Sequence, residues 1–196
     1  MVSLVAHSIL HTKTGDWKIH VYCEDKKLEH VALIKGDIGN VPDVLVRIHS
    51  ECLTGDALGS KHCDCGEQKD LALKKIAEEG TGIFLYMRQE GRGIGLANKI
   101  KAYEIQRVEG VDTVEANVML GREVDERSYE SAADILKHLG VTQVRLLTNN
   151  EEKKHGLEKS GIIVQSLVPT EVVPNEVNEK YLKTKKQKMG HLLKNV

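Results

Sequence analysis

The stretch VRLLTNNEEKKHGLEKSGIIVQSLV, residues 144–168, combines two short β-like runs with a helical pattern between them. Its first and last parts are rich in Val, Ile and Leu, which favour strands. The middle part starts at asparagines, which are favoured helix N-caps, and ends at Gly161, where a helix would stop. This order predicts a strand, a helix and a second strand.

The same alternation is found nearer the N-terminus. The runs VLVRIH at 44–49 and GIFLYM at 82–87 are also β-like, and amphipathic helical patterns follow Gly66 and surround Ala132. Strands that alternate with helices predict an α/β fold, in part α+β-like, with a mixed β-sheet core and flanking helices. The first 45 residues predict more irregular, antiparallel β structure.

The composition excludes some classes of function. The 196 residues include 28 Lys plus Arg and 29 Asp plus Glu, so the charge is nearly balanced. A general nucleic-acid or membrane-surface binder would show a basic excess, and we therefore expect neither kind of partner. The N-terminus lacks a signal-peptide pattern, and no apolar run approaches the length of a transmembrane helix. We expect one domain over residues 1–196, in the cytoplasm, where thiols stay reduced.

Three of the four cysteines lie within RIHSECLTGDALGSKHCDCG, residues 47–66. They follow the spacing C-x10-C-x-C, and they are Cys52, Cys63 and Cys65. A cluster of soft ligands in a reducing compartment is typical of a Zn²⁺ site. Three residues could supply a fourth ligand, although each also fits an ordinary packing role: His49, His62 and Cys23. Without one, water would fill the open position, as in catalytic zinc sites.

A glycine-rich loop follows the β-like run at 82–87. The sequence RQEGRGIGLANK, residues 88–99, places Arg88 and Arg92 on either side of Glu90. A strand that leads into a glycine-rich turn and a helix start can offer N–H groups to phosphate, and arginines bind phosphate oxygens in a bidentate way. Neither standard nucleotide-binding glycine motif is present, and the pattern equally fits a surface turn with scattered charges.

Polar residues mark further places along the chain. Asp125 and Arg127 lie in GREVDERSYE, where Asp125 taken alone is best explained as a helix N-cap. The run VDTVEANVML, residues 111–120, carries a dense polar set that hints at a site, because buried polar groups need partners. Thr148 ends a strand at the edge where α/β sheets bind ligands. The basic run at 178–196 predicts a solvated tail helix, with anion binding by its lysines as the alternative.

Together these segments resemble the GTP cyclohydrolase II family, which opens the guanine ring at the start of riboflavin synthesis. The matching stretches keep their order along the chain: RIHSECLTGDALGSKHCDCG, RQEGRGIGL, NKIKAY, DTVEAN, DERSY, RLLTNN and YLKTKKQKMGHLL. The resemblance implies a GTP cyclohydrolase II-like fold in a monofunctional form. It implies hydrolysis of GTP to a diaminopyrimidine product with release of formate and pyrophosphate, in a homodimer that uses Zn²⁺ in the protein and Mg²⁺ with the triphosphate.

The resemblance also implies roles for individual residues. It makes Cys52, Cys63 and Cys65 the ligands of one catalytic Zn²⁺ per subunit. It makes Asp125 a general acid or base, implicates Tyr103 in ring opening, and places Arg127 at the α-phosphate as a nucleophile or a charge clamp. The residues expected to bind GTP are Arg47, Ile48, His49, Ser50, Glu51, Gln68, Glu90, Gly91, Arg92, Thr113, Thr148 and Lys153.

Two alternative functions stay open on the sequence. A related cyclohydrolase could act on another purine nucleotide, because a shared fold does not fix the substrate. A structural zinc module could bind nucleic acid or protein without catalysis. The balanced charge, the missing fourth cysteine and the acidic residues in the loops argue against such a module, since carboxylates would repel a phosphate backbone.

Overall fold

The described part of the chain, residues 2–188, 190 and 192–193 of a computed structural model, alternates strands with helices. The strands are β1 (Val2–Thr12), β2 (Gly15–Glu24), β3 (Leu28–Lys35), β4 (Val44–Ser50), β5 (Gly82–Met87), β6 (Gln143–Leu147) and β7 (Ile163–Val168). The helices are α1 (Leu53–Asp56), α2 (Cys65–Glu79), α3 (Gly95–Glu109), α4 (Thr113–Met119), α5 (Glu130–His138), α6 (Glu151–Lys159) and α7 (Glu179–Lys188). A 3₁₀ turn over Glu90–Gly93 precedes α3. The predicted tail helix is thus present as α7, and the last part of the basic run, at 189, 191 and 194–196, lies outside the described residues.

The seven strands of the described residues form one mixed sheet in the order β1-β2-β3-β5-β4-β6-β7. The antiparallel pairs are β1 with β2, β2 with β3, and β3 with β5. The parallel pairs are β4 with β6 and β6 with β7. The predicted α/β class with a mixed sheet is confirmed. The N-terminal part is antiparallel as expected, and the pairing of β1 with β2 is irregular at one point, a register shift between Leu4 and Ala6. Asp25 and Lys26 have φ of 49° and 57°, which gives the hairpin turn between β2 and β3.

The segment 144–168 forms the predicted strand, helix and strand. The side chain of Asn150 accepts a hydrogen bond from the N–H of Glu152 at 2.9 Å, which caps the start of α6. Gly161 follows the end of α6 and has φ of +81°, a conformation that glycine adopts without strain. The flanking strands β6 and β7 then pair in parallel.

Both faces of the sheet are covered by helices because its central strands are apolar on both sides. In β5, Ile83 and Leu85 belong to one buried cluster and Phe84 to another, as expected where successive side chains point to opposite faces. The first cluster includes Ile135 of α5, and the second includes Ile76 of α2. Aliphatic side chains thus supply most of the core.

The chain divides into two units by its internal contacts. We call Met1–His49, Lys69–Arg88 and Ser128–Thr170 the sheet unit, and Ser50–Gln68, Glu171–Val196 and Gln89–Arg127 the cysteine unit. The expectation of one domain over residues 1–196 stays a prediction. None of the described helices is both long and apolar enough to cross a membrane.

Candidate functional site

The three clustered cysteines come together in the cysteine unit. Cys52 precedes the short helix α1, Cys63 ends the loop that follows it, and Cys65 begins α2. Their Sγ atoms all lie within 4.8 Å of one another, and those of Cys52 and Cys63 are 3.6 Å apart. Sulfurs bound tetrahedrally to zinc at about 2.3 Å would lie about 3.8 Å apart. The three thiols therefore fit one metal ion of this kind, and no other group of three possible ligands is found in the described part of the chain.

Two glycines allow close packing of the segment that carries the three thiols, residues 52–65, which we call the cysteine loop. A Cβ atom added at Gly55 would lie 2.8 Å from the Sγ of Cys63 and 3.3 Å from that of Cys52. A Cβ atom at Gly66 would lie 2.4 Å from the carbonyl oxygen of Gly55. The backbone of α1 thus lies directly against the thiols, and any side chain at Gly55 would displace a ligand atom. No motif in the sequence marks Gly55 or Gly66 as part of the site.

Lys99 of α3 joins the cysteine loop to the glycine-rich loop. Its Nζ atom donates to the Sγ of Cys52 at 3.0 Å, and to a carboxylate oxygen of Glu90 at 2.9 Å. Another oxygen of Glu90 accepts from the N–H of Leu53 at 2.7 Å. Burial lowers the pKa of Lys99, but its hydrogen bonds with Cys52 and Glu90 outweigh burial and raise the pKa above its usual value. Lys99 therefore supplies a fixed positive charge beside the thiols.

The free thiols differ in acidity. Hydrogen bonds from Cys63 and Cys65, with a further one from Lys99, hold the pKa of Cys52 well below its usual range. Hydrogen bonding to Cys52 and burial raise the pKa of Cys63 to about 11. Because a metal-binding cysteine must be a thiolate, the contact with Lys99 favours the metal-binding form of the group.

The possible fourth ligands have other surroundings. His62 is not part of the cysteine group, and its exposed ring stacks on Tyr103 with the centroids 5.2 Å apart. His49 belongs to the sheet unit, where its ring stacks with those of Phe84 and Tyr86. Cys23 is a residue of β2 in the same unit. Among the described residues of the cysteine unit no fourth ligand joins the three thiols, so a non-protein ligand could take the remaining position of a metal held there.

The glycine-rich loop holds Arg92 in an uncommon backbone conformation. Gly91 and Arg92 have φ of 61° and 60°, and for arginine this left-handed conformation costs about 1–2 kcal/mol. The carbonyl oxygen of Arg92 accepts from the N–H of Glu126 at 3.0 Å, and its Nη2 atom donates to the hydroxyl of Tyr181 at 2.9 Å. Its Nη1 atom is buried and has no hydrogen-bond partner among the described residues, so an anion could accept its protons. Arg88, the other arginine of the motif, belongs to the sheet unit.

Asp125 and Arg127 form a close ion pair. The Nε atom of Arg127 donates to Asp125 at 2.8 Å, Nη2 donates to its second carboxylate oxygen, and Nη1 donates to the hydroxyl of Ser50 at 3.2 Å. Burial raises the pKa of Asp125, but the hydrogen bonds and charge of Arg127 outweigh it and lower the pKa below its usual value. The N-cap interpretation of Asp125 is wrong, because α5 begins only at Glu130 and is capped by Tyr129.

A cavity of about 270 Å³ lies beside Tyr103 in the cysteine unit. Thr113 also lines it, as the first residue of α4. The dense polar set around Thr113 has a partly structural explanation, since Asp112 and Glu115 form a capping box at the start of α4. That signal was readable in the sequence as Asp-x-x-Glu. The other residues that line the cavity are His62, Gln106, Arg107, Val111, Asp112, Val177, Tyr181 and Thr184.

The sheet unit brings a second set of predicted residues together. Arg47 of β4 is buried and donates to the carbonyl oxygen of Leu147 at 2.9 Å. The carbonyl oxygen of Ile48 accepts from the ammonium group of Lys153 at 2.7 Å. Thr148, directly after β6, accepts from the N–H of Asn150 at 3.0 Å. These buried polar groups lie at the C-terminal end of β6 and the start of α6, the edge where ligands bind in α/β sheets.

The remaining predicted residues lie in the cysteine unit. Ser50 donates to the side-chain oxygen of Gln89 at 3.3 Å, and Glu51, half-buried, follows it. Gln68 of α2 hydrogen-bonds the carboxylate of Asp64. Some of the predicted residues therefore belong to the sheet unit and the others to the cysteine unit.

The fold and the site define an α/β protein with a three-thiol group able to hold a metal ion, next to an arginine-bearing glycine loop. A sequence model of the family described as GTP cyclohydrolase II matches residues 4–169. The GTP cyclohydrolase-2 of Haemophilus influenzae strain Rd is 54% identical over 194 residues, which cover 98% of this chain and 89% of that protein. This chain belongs to the GTP cyclohydrolase II family.

Two further matches are with longer proteins. The riboflavin biosynthesis protein RibBA of Phocaeicola vulgatus is 58% identical over 166 residues, which cover 85% of this chain and 41% of that protein. Among solved structures, RibBX of A. baumannii, a two-domain 3,4-dihydroxy-2-butanone 4-phosphate synthase, has a TM-score of 0.46 and 17% identity. The match covers 88% of this chain and 40% of that one.

Proposed function

We propose that this protein is a zinc-dependent GTP cyclohydrolase II that hydrolyses GTP to a diaminopyrimidine product with release of formate and pyrophosphate, the first step of riboflavin biosynthesis. The observation that carries the proposal is the group of three thiols within 4.8 Å, found in a member of this family. The names of the Haemophilus and Phocaeicola relatives agree with this activity and this pathway.

Cys52, Cys63 and Cys65 would hold one Zn²⁺ ion. When bound, zinc would supply the Lewis acid for hydrolysis at C8 of guanine. Three thiolates carry one more negative charge than the ion neutralises, and Lys99 lies 3.0 Å from one of them to balance it. A purely structural zinc site usually has four protein ligands, so a three-thiol group favours catalysis.

Arg92 and Arg127 would hold the phosphates. The unpartnered Nη1 of Arg92 can donate to a phosphate oxygen. Arg127 is fixed by its ion pair with Asp125, which keeps the guanidinium protonated and without a lone pair. We therefore assign Arg127 as a charge clamp on the α-phosphate rather than a nucleophile. Mg²⁺ would bind with the triphosphate, as the family resemblance implies.

Tyr103 would donate a proton as the imidazole ring opens. Burial raises the pKa of Tyr103 above its usual value, so its hydroxyl stays protonated at neutral pH. Its ring and that of Tyr181 line the cavity, in which Thr113 could bind the substrate. Aromatic walls with a few polar groups suit a flat heterocyclic base.

The sheet unit would contribute Arg47, Ile48, His49, Thr148 and Lys153 to GTP binding, as predicted from the sequence. Ser50, Glu51, Gln68, Glu90 and Gly91 complete the proposed binding residues. The proposal also includes a cytoplasmic homodimer, with neither nucleic acid nor membrane as a partner.

Incubation of the purified protein with GTP and Mg²⁺ tests this function. Formate, pyrophosphate and the diaminopyrimidine are followed together, with a Cys63→Ser variant alongside. We expect all three products from the wild type and loss of formate release in the variant. Turnover of another purine triphosphate but not of GTP would favour the related-cyclohydrolase alternative. Zinc binding without any turnover would favour a structural zinc module.

A further inference from the structure

The C-terminal helix α7 is not the solvated tail that its charge predicts. It lies beyond residues 4–169, which the family model matches. Lys183 fits the expectation, since its side chain is 53% exposed and pairs with Glu179 on the same helix. Lys185 does not, because only 7% of the residue is exposed. A buried lysine needs a strong partner, and its partner lies in the cysteine loop.

Lys185 pairs with Asp64, the residue between two of the three clustered cysteines. Its Nζ atom lies 2.7 Å from Oδ1 of Asp64. The side chain of Asp64 is 2% exposed, and its Oδ2 atom accepts from the amide of Gln68. Both carboxylate oxygens are thus held, one from α7 and one from the start of α2. Since Asp64 is bonded covalently to Cys63 and Cys65, fixing its side chain restricts the backbone that carries both thiols.

The pair is desolvated, which makes its geometry restrictive. An ion pair taken out of water is favourable only when the partners keep close contact, and loss of one partner leaves a charge buried alone. The close contact between Lys185 and Asp64 therefore holds the cysteine loop at one distance from α7.

The same helix contacts the glycine-rich loop one turn earlier. The hydroxyl of Tyr181 accepts from Arg92 at 2.9 Å, and the Nζ atom of Lys185 lies 4.9 Å from the centroid of the Tyr181 ring. Residues four apart lie on one face of a helix, so one face of α7 contacts both loops. A rigid helix in this place fixes the cysteine loop and Arg92 relative to each other.

We propose that Lys185 is a positioning residue of the metal site, which acts through Asp64 to hold Cys63 and Cys65 in the arrangement that binds zinc. This inference rests on the proposed zinc enzyme, and it gives a role to a lysine for which the family resemblance implies none. It predicts that the pair sets metal affinity as well as stability.

Zinc affinity of the full-length protein tests the inference directly. The wild type, Lys185→Met and Asp64→Asn compete with a chromophoric chelator for Zn²⁺, and Lys183→Met is the matched control on the exposed face of α7. We expect each change in the pair to weaken zinc binding about 10- to 100-fold, the usual effect of altering groups that orient metal ligands. The control should bind zinc like the wild type.

A double variant separates positioning from general stability. If the two side chains act as one unit, Asp64→Asn should cost little further affinity in the Lys185→Met background. The visible spectrum of the Co²⁺-substituted protein should change in the pair variants and not in Lys183→Met, because it reports ligand geometry. Asp64→Asn keeps an amide in place of the carboxylate, so it remains informative if Lys185→Met does not fold.

The outcomes are distinct for the two proposals. A wild type that binds no zinc contradicts the proposed function itself. A wild type that binds zinc, with an unchanged affinity and cobalt spectrum in Asp64→Asn, overturns only the role of Lys185. Additive losses in the double variant also overturn it, because they mean that the two residues act independently.

Discussion

The ammonium group of Lys99 lies 3.0 Å from the sulfur of Cys52. Lys99 is a residue of α3, a helix that begins 43 residues after Cys52 in the chain. Only 8% of Lys99 is exposed, and Glu90 binds the same ammonium group. A charge-assisted hydrogen bond in a buried place contributes about 1.5–3 kcal/mol. Lys99 therefore belongs to the immediate surroundings of the three thiols.

Replacing Lys99 by Met should weaken zinc binding at least about tenfold, because a loss of 1.4 kcal/mol already corresponds to that factor. The reason is the thiolate charge that Lys99 no longer offsets. Chelator competition measures the affinity, and Lys101→Met, an exposed lysine of the same helix, is the control. Equal zinc affinity in the two variants would show that Lys99 is not needed to balance the thiolates.

Gly55→Ala should prevent full zinc loading. The added Cβ atom would lie 2.8 Å from the sulfur of Cys63, closer than real carbon atoms approach, so a ligand must move. Zinc content per chain after purification measures the effect. In Gly39→Ala the new atom meets only an oxygen of Asp37 at 3.4 Å, and this control should keep the wild-type content. A fully loaded Gly55→Ala protein would mean that the loop can relax.

Tyr103→Phe should separate the two products of the proposed reaction. The phenyl ring can still stack on His62, but the proton donor is gone. Formate release should fall about 100-fold, the usual scale of general acid catalysis, while pyrophosphate release changes little. Both products are measured in one reaction mixture. A parallel fall of both would place Tyr103 in substrate binding instead of ring opening.

Replacing His20 by Gln should reduce the decrease in the free energy of unfolding that accompanies mild acidification. Burial, with the nearby His7, His138 and Lys18, lowers the pKa of His20 in the folded protein below the value of 6.5. The unfolded chain then binds more protons between the lowered pKa and pH 6.5, so wild-type stability falls as the pH falls through this window.

Urea unfolding at pH 7.5 and pH 5.5 measures this slope for the wild type and His20→Gln. We expect the variant to lose less stability between the two pH values. An unchanged slope in His20→Gln would show that the histidine binds its proton equally well in the folded and unfolded chains.

The sequence by itself determined the fold class and predicted which cysteines could bind a metal. The segment 144–168 predicts a strand, a helix and a strand because caps and hydrophobic period are local properties of the chain. The spacing of Cys52, Cys63 and Cys65 indicated a zinc site because two thiols two residues apart, with a third nearby, are local as well. Composition and residue order carry such information without any long-range contact.

Only the tertiary structure decided what surrounds those ligands. Lys99 and Lys185 look like other lysines of basic helices, and nothing in their spacing separates them from the exposed Lys101 and Lys183. What distinguishes them is a buried partner, 47 residues away for Lys99 and 121 residues away for Lys185. The charge of a side chain follows from its residue type. The free-energy cost of burying that charge, and the partners it then needs, depend on how far the fold removes the side chain from water.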